Sequence, residues 1–90
     1  MRDIQKVLTA LTSPVRREIL GLIWDRELSA GEIAAAFPVT KPTISQHLAV
    51  LHRGGLVDKR RSGRAVLYQT TALGLALLGG EAAGAGASAS

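Results

Sequence analysis

Apolar residues recur every three or four positions near the start of the chain, a spacing that predicts two amphipathic helices. Asp3 can cap the first helix, and Ser13 followed by Pro14 predicts the start of the second. We expect the second helix to end near Asp25–Arg26. The apolar positions of the first helix are Ile4, Val7, Leu8 and Leu11. Those of the second are Ile19, Leu20, Ile23 and Trp24.

A capping box predicts the start of a short third helix. Ser29 and Glu32 stand three residues apart, so each side chain can accept a hydrogen bond from the backbone of the other residue. The apolar positions continue to Phe37, and Pro38 ends the helix because proline cannot be accommodated in its interior. We expect this helix to extend from Ser29 to Phe37.

A fourth helix follows after a turn of about three residues. Thr40 or Lys41 can cap it, and Gly54–Gly55 ends it near Arg53. At 100° per residue, one face is apolar and must lie on the core. The residues of that face are Ile44, Leu48 and Leu51. The opposite face carries Pro42, Thr43, Gln46, Ala49, Val50 and Arg53, with Ser45 at its edge.

The hydrophobic period changes after Leu56. Residues 57–61 and 65–69 are two short β-prone runs about Ser62–Gly63–Arg64, which predicts a hairpin. Thr70 or Thr71 then caps a fifth helix. The predicted fold is therefore mainly α with a small β-hairpin wing, in the order α-α-α-α-β-β-α. We expect a domain over residues 1–78 and a flexible tail rich in Gly, Ala and Ser over residues 79–90.

Charge gives the fourth helix and the hairpin a possible partner. The net charge is +4, and between Lys41 and Arg64 there are six basic side chains against one acidic side chain, Asp58. Such a basic patch suits a polyanion, although a solvated cationic surface gives the same pattern. Between Thr43 and His52 the fourth helix has no Glu, Lys or Arg. Short hydroxyls and an amide are side chains that can approach base edges, so this face predicts DNA recognition; a polar surface without function remains the alternative.

The short third helix, the turn and the fourth helix follow the helix-turn-helix plan, and the hairpin adds a basic wing. The segments LTSPVRREIL, ELSAGEIA, KPTISQHLAVLHRGGLV and RRSGRAVLYQ resemble the ArsR/SmtB family of bacterial winged-helix repressors, and the resemblance covers Val7 to Leu78. The family resemblance implies a dimer that binds palindromic operator DNA. For His47 two roles stay open, a hydrogen bond where the fourth helix meets the body of the domain and a contact with phosphate. We expect one or two of the hairpin cations, Arg61 among them, to contact the DNA backbone. The resemblance also implies that Arg16 and Arg17 lie where family members often approach phosphates, that Arg64 is at the wing tip, and that the residues meeting the major groove are Lys41, Pro42, Thr43, Ser45 and Gln46. With His47 and Arg61, these are the predicted DNA-binding residues.

The effector sites of the family are not recognisable in this sequence. Where many members carry thiolate ligands, residues 27–33 read ELSAGEI, and the chain contains no cysteine. The last helix has Glu81 but no histidine to form the other common metal site. His47 and His52 are five residues apart and do not share a helix face. We therefore expect no metal and no cofactor, and the effector is unknown; a small-molecule or metal response through a non-standard site stays open.

The last helix is apolar on almost every side, so it should be buried on every side. A chain of 90 residues can hardly do this alone. We expect the first and last helices to form a two-fold homodimer interface, with tight packing inside a monomer as the alternative. We expect Trp24 in the core or beside this interface. The predicted interface residues are Ile4, Val7, Leu8, Leu11, Leu73, Leu77 and Leu78.

The pattern as a whole predicts a cytoplasmic, sequence-specific transcriptional regulator, in the first place a repressor that may regulate its own gene. A winged-helix module for protein–protein contact is the competing hypothesis. We expect no catalytic residues, because there is no cysteine, no paired carboxylate site and no histidine-based dyad. No apolar run is long enough to cross a membrane, and the N-terminus has no apolar region of a signal peptide.

Overall fold

The computed structural model describes residues 4–78. Within them four helices precede a hairpin, and residues 72–78 are again helical, which confirms the predicted order with one added strand. The Asp3 cap, Glu81 and the predicted tail at 79–90 lie outside the described residues. The elements are α1 (Ile4–Leu11), α2 (Pro14–Leu22), β1 (Leu28–Ser29), α3 (Ala30–Ala34), α4 (Lys41–Arg53), β2 (Val57–Ser62), β3 (Ala65–Thr70) and α5 (72–78).

The added strand makes the wing a three-stranded antiparallel sheet in the order β1-β3-β2. Leu28 pairs with Tyr68, and Tyr68 in turn pairs with Lys59 of β2. Strand β1 has only two residues, and it comes directly before α3 with Ser29 serving both elements. A run of two residues carries no detectable period, so the sequence predicted only the hairpin.

Two predicted helix ends are wrong. Helix α3 ends at Ala34 instead of Phe37, because Ala36 and Phe37 donate to carbonyls three residues back and the chain tightens before Pro38. Helix α2 ends at Leu22, since the carbonyl of Ile23 accepts from Thr70 of β3 at 3.0 Å. As a result Trp24 leaves the helix and is 50% exposed, which excludes a place in the core.

The core lies where α2, α3 and α4 meet the base of the hairpin. The predicted capping box is formed, with Ser29 Oγ accepting from the Glu32 backbone and Glu32 Oε1 accepting from the Ser29 backbone. Burial of the predicted apolar face of α4 fixes the direction of its other face. The fully buried large side chains are Ile19, Leu20, Ile23, Ile33, Ile44, Leu48, Leu51, Leu56 and Val57.

Two glycines allow α4 to end and α5 to dock. Leu56 donates to Leu51 at 2.9 Å and Gly55 donates to His52 at 3.0 Å, a Schellman ending in which Gly55 has φ +77°. Gly74 lies so close to the segment after α4 that a Cβ there would be 2.3 Å from the Leu56 carbonyl oxygen. Glycine at position 74 is therefore what lets α5 pack against this segment.

Candidate nucleic-acid interface

Helix α4 presents its N-terminal turn to solvent. Thr40 is the N-cap, and its Oγ1 accepts from the Thr43 backbone at 3.4 Å and donates to Thr43 Oγ1 at 3.1 Å. Pro42 occupies the first turn, where its missing N–H costs nothing. Lys41 is exposed beside it. The start of the helix is thus preorganised, with its positive dipole end directed outward.

The predicted DNA-facing residues of α4 do lie on its outer side. Lys41, Pro42, Ser45 and Gln46 are exposed, while Thr43 is half-buried. Within residues 4–78, the side chains of Ser45 and Gln46 have no hydrogen-bond partner. Their polar groups remain available to a partner, and a hydroxyl and an amide can both donate and accept.

The wing divides its basic residues between two faces. Side chains alternate along a strand, so Arg61 leaves β2 on the same face as Val57, which is buried in the core beside α4. Arg60 points to the other face, where its Nε and Nη2 donate to the two oxygens of Glu27 at 2.6 Å each. The structure therefore places Arg61 on the α4 side and engages Arg60 within the sheet.

The Arg60–Glu27 ion pair connects the edge strand β2 to Glu27, the residue before the opposite edge strand β1. The two hydrogen bonds from Arg60 lower the pKa of Glu27, and the same pair raises the pKa of Arg60. Both groups are solvated, so this ion pair holds a geometry more than it stabilises the fold. Sequence reasoning missed Glu27, since only the pairing of β1 with β3 brings it within reach of Arg60 on the other side of β3.

Arg64 occupies the wing tip. Ser62 pairs with Ala65, so the loop contains only Gly63 and Arg64, and Gly63 has φ +62°. A two-residue hairpin loop needs positive φ at its first position, for which glycine is suited. Arg64 is exposed and projects from a short, well-defined turn.

Arg16 and Arg17 both donate hydrogen bonds to the end of α1. Arg16 donates to the Thr9 carbonyl at 2.8 Å and to the Ala10 carbonyl at 3.0 Å, and Arg17 donates to the Leu11 carbonyl. Both residues therefore donate to the last carbonyls of α1, of which the Thr9 carbonyl also accepts from the backbone and hydroxyl of Thr12. The proximity of two arginines to a predicted helix end was the available signal for this role.

His47 lies between α4 and the helices behind it. Its Nδ1 is 3.1 Å from Nη1 of Arg16, and the ring is half-buried. Burial first, and the positive charge of Arg16 second, lower the pKa of His47. Neutral imidazole is therefore the form favoured near pH 7.

The predicted interface residues of α1 and α5 divide into two groups. Leu11 and Leu78 pack against the core, and Val7 is half-buried. The others are exposed in the single chain, namely Ile4 at 58%, Leu8 at 54%, Leu73 at 46% and Leu77 at 40%. Leu75 and Trp24 are also exposed, and these two were not in the predicted set.

Other kinds of site are not visible in the part of the chain that the structure describes. Residues 4–78 contain no group of three or more His, Asp or Glu side chains that could hold a metal ion. No helix among them has the length and apolar character needed to cross a bilayer.

A short helix, a turn and an exposed polar helix beside a basic hairpin define a winged helix-turn-helix protein. Comparison with known proteins narrows this class. The sequence profile of bacterial regulatory proteins of the arsR family matches residues 13–59, and the chain belongs to that family. It is a DNA-binding transcriptional regulator and not an enzyme.

The chain is 36% identical over 65 residues to the transcriptional repressor SdpR of Bacillus subtilis, which is 72% of each chain. It is 39% identical over 62 residues to the transcriptional activator HlyU of Vibrio cholerae, covering 69% of this chain but 57% of that one. The solved structure of Vibrio cholerae HlyU superimposes with a TM-score of 0.74 at 32% identity, over 86% of this chain and 85% of the other.

Proposed function

We propose that the protein is a cytoplasmic homodimeric repressor that binds a palindromic operator through α4 and the wing. The observation that carries this proposal is the exposed face of α4, where Ser45 and Gln46 have no partner within residues 4–78. Arg61 leaves the wing on the α4 side, and Arg64 projects from its tip. Side chains able to contact base edges are thus bordered by cations able to contact phosphates.

The homodimer is supported by the apolar surface of α1 and α5. Isolated exposed leucines are ordinary, but here two short helices each expose large apolar side chains. Both helices approach the end of α4: a Cβ at Gly54 would be 3.4 Å from the Lys6 carbonyl oxygen, and one at Gly55 would be 3.9 Å from Leu73 Cδ2. Binding to a palindromic operator would require the dimer to hold its two copies of α4 about 34 Å apart, one turn of DNA.

We propose repression as the mode of regulation. SdpR, whose alignment with this chain covers 72% of each protein, is named a transcriptional repressor. We propose no effector. Control by protein abundance or by a partner is then the simplest form of regulation. Residues 4–78 offer no group of three or more His, Asp or Glu side chains that would favour a metal response.

The test is footprinting on DNA that includes the protein's own promoter, followed by titration of the protected sequence at several salt concentrations. We expect a two-fold symmetric footprint, binding that survives competitor DNA, and affinity that falls steeply with salt. A reporter gene behind the protected sequence should be less active when the protein is present. Equal affinity for all sequences would contradict the proposal, and increased reporter activity would replace repression by activation.

A further inference from the structure

The guanidinium of Arg16 reaches three groups on two other helices. Its Nε donates to the Ala10 carbonyl at 3.0 Å and its Nη2 to the Thr9 carbonyl at 2.8 Å, both at the end of α1. Its Nη1 lies 3.1 Å from His47 Nδ1 on α4. Arg16 is half-buried and planar, so these contacts fix it at the junction of α1, α2 and α4.

The chemistry of this contact determines where the His47 ring carries its proton. An arginine has only donors, so His47 Nδ1 must accept and must be unprotonated. A neutral imidazole then bears its single hydrogen on Nε2. Charging the ring would place a hydrogen on Nδ1 against an N–H of Arg16, and the lowered pKa of His47 is consistent with this opposition.

We propose that Arg16 is a positioning residue that holds His47 as a neutral N–H donor, and that this Nε2–H donates to a phosphate oxygen of the DNA. The inference rests on the proposed function, because it requires α4 to lie on DNA. His47 directly follows the exposed Ser45 and Gln46, and it is only half-buried, so part of the residue lies at the surface beside the face already described. A backbone or hydroxyl donor contacts phosphate in the same uncharged way.

This role differs from a direct phosphate contact by Arg16, which was the expectation from sequence. Three of the five guanidinium N–H groups are directed at protein acceptors. A direct contact would release a counterion, and its loss would reduce the salt dependence of binding. A neutral donor releases none. Affinity and salt dependence therefore separate the two roles.

The first experiment needs no DNA. Long-range ¹H–¹⁵N correlation spectra of the histidine rings at pH 7 should show His47 with a hydrogen on Nε2 and a bare Nδ1. In Arg16→Gln the His47 ring should titrate at a higher pH and lose this tautomer preference, because the positive charge of Arg16 is removed and its hydrogen-bond donor is replaced by a weaker one. A hydrogen on Nδ1 in the parent protein overturns the proposal. If Arg16→Gln does not fold, the parent spectrum alone still decides the tautomer.

The second experiment compares two amide replacements of His47 that are matched in chemistry. In His47→Gln the amide reaches the place of Nε2, whereas in His47→Asn it reaches only the place of Nδ1. We expect His47→Asn to weaken operator binding about fivefold, the value of one hydrogen bond, and His47→Gln to stay within about twofold of the parent. The slope of affinity against salt should be unchanged in both. The reverse order of the two variants overturns the proposal.

A double-mutant cycle between Arg16→Gln and His47→Asn tests the coupling. The two losses should be strongly non-additive, because Arg16 acts on DNA through His47. Arg26→Gln, which removes one exposed positive charge outside this junction, is the matched control. Additive losses together with a reduced salt slope in Arg16→Gln would assign a direct phosphate contact instead. If the parent protein binds no DNA, both the proposed function and this inference are overturned. If the parent binds DNA but His47 carries its hydrogen on Nδ1, only this inference is overturned.

Discussion

Two exposed surfaces of this small domain differ in what they offer a partner. The outer face of α4 carries short hydroxyls, an amide and small apolar side chains, with charge confined to its ends at Lys41 and Arg53. The surface of α1 and α5 instead exposes leucine and isoleucine, among them Leu8 and Leu73. Leaving the first surface in water costs little free energy, whereas burial of the second surface lowers the free energy. Exposure alone is therefore not informative, and the chemistry of the exposed groups distinguishes a surface for DNA from a surface for protein.

The largest expected effect comes from charging the apolar surface. Leu73→Glu combined with Leu77→Glu should convert a dimer to a monomer in sedimentation experiments, because two carboxylates would have to be desolvated at the interface. Operator binding should fall at least tenfold, since one α4 replaces two. Ala36→Glu, also exposed but outside α1 and α5, is the control for oligomeric state. A double variant that remains dimeric would show that this surface is not the interface.

The packing of α5 against the segment after α4 can be tested by substituting two glycines. Gly74→Ala brings a Cβ to 2.3 Å from the Leu56 carbonyl oxygen and 2.8 Å from Thr70 Cγ2, so it should lower the free energy of unfolding by about 1–3 kcal/mol. Gly21→Ala places its Cβ 3.8 Å from Leu78, an ordinary contact inside α2. That change should be neutral or stabilise by up to about 1 kcal/mol. Urea denaturation of both variants gives the comparison, and equal stability would mean that α5 does not depend on this close approach.

On the polar surface, substitutions of Gln46 and Arg64 should weaken DNA binding in different ways. Gln46→Ala should cost about 1–3 kcal/mol on the operator and little on scrambled DNA, because an amide reads a base edge. Arg64→Ala should weaken binding to both sequences and reduce the salt slope by about one. Arg26→Ala is the charge-matched control. Similar losses on both DNAs for Gln46→Ala would show that α4 does not read bases.

The smallest effect is expected at the wing. Arg60 lowers the pKa of Glu27, so the stabilising contact is present above the ordinary carboxyl pKa of 4.5 and is lost as the pH falls through the lowered value. In Glu27→Gln this acid-dependent loss should disappear, and the sheet should then give the same backbone chemical shifts on both sides of that range. Glu18→Gln, on the exposed side of α2, is the control. Persistence of the acid transition in Glu27→Gln would assign it to another group.

The elements with a clear period or a cap could be predicted from sequence, and those formed by long-range contacts could not. The apolar face of α4 and the ends marked by Ser29, Thr40 and Gly55 depend on neighbours within a few residues, and the structure confirms them. Strand β1 exists only because β3 lies beside it, and the Glu27–Arg60 pair depends on that strand.

The candidate site shows the same division. The exposure of Ser45 and Gln46 follows from the angle at which Ile44 and Leu48 enter the core. The partners of Arg16 do not follow from any local pattern, because Thr9 and His47 lie on two different helices. The exposure of single side chains was thus predictable from sequence, and contacts between side chains on different helices were not.

The segment at Gly54–Leu56 has a consequence for signalling. Helix α4 ends there, the Thr71 hydroxyl at the start of α5 donates to the Gly55 carbonyl at 2.7 Å, and the Thr71 backbone donates to Leu56 at 2.9 Å. Helix α1 crosses the same place, with the Lys6 carbonyl against Gly54. The segment connects α1 and α5 to the C-terminal end of α4. A partner that binds α1 and α5 from outside would therefore also act on the end of the helix that is proposed to contact DNA. Under the proposed function, a chain of this architecture could acquire a new input through a change in what binds α1 and α5, without any change in the residues proposed to contact DNA.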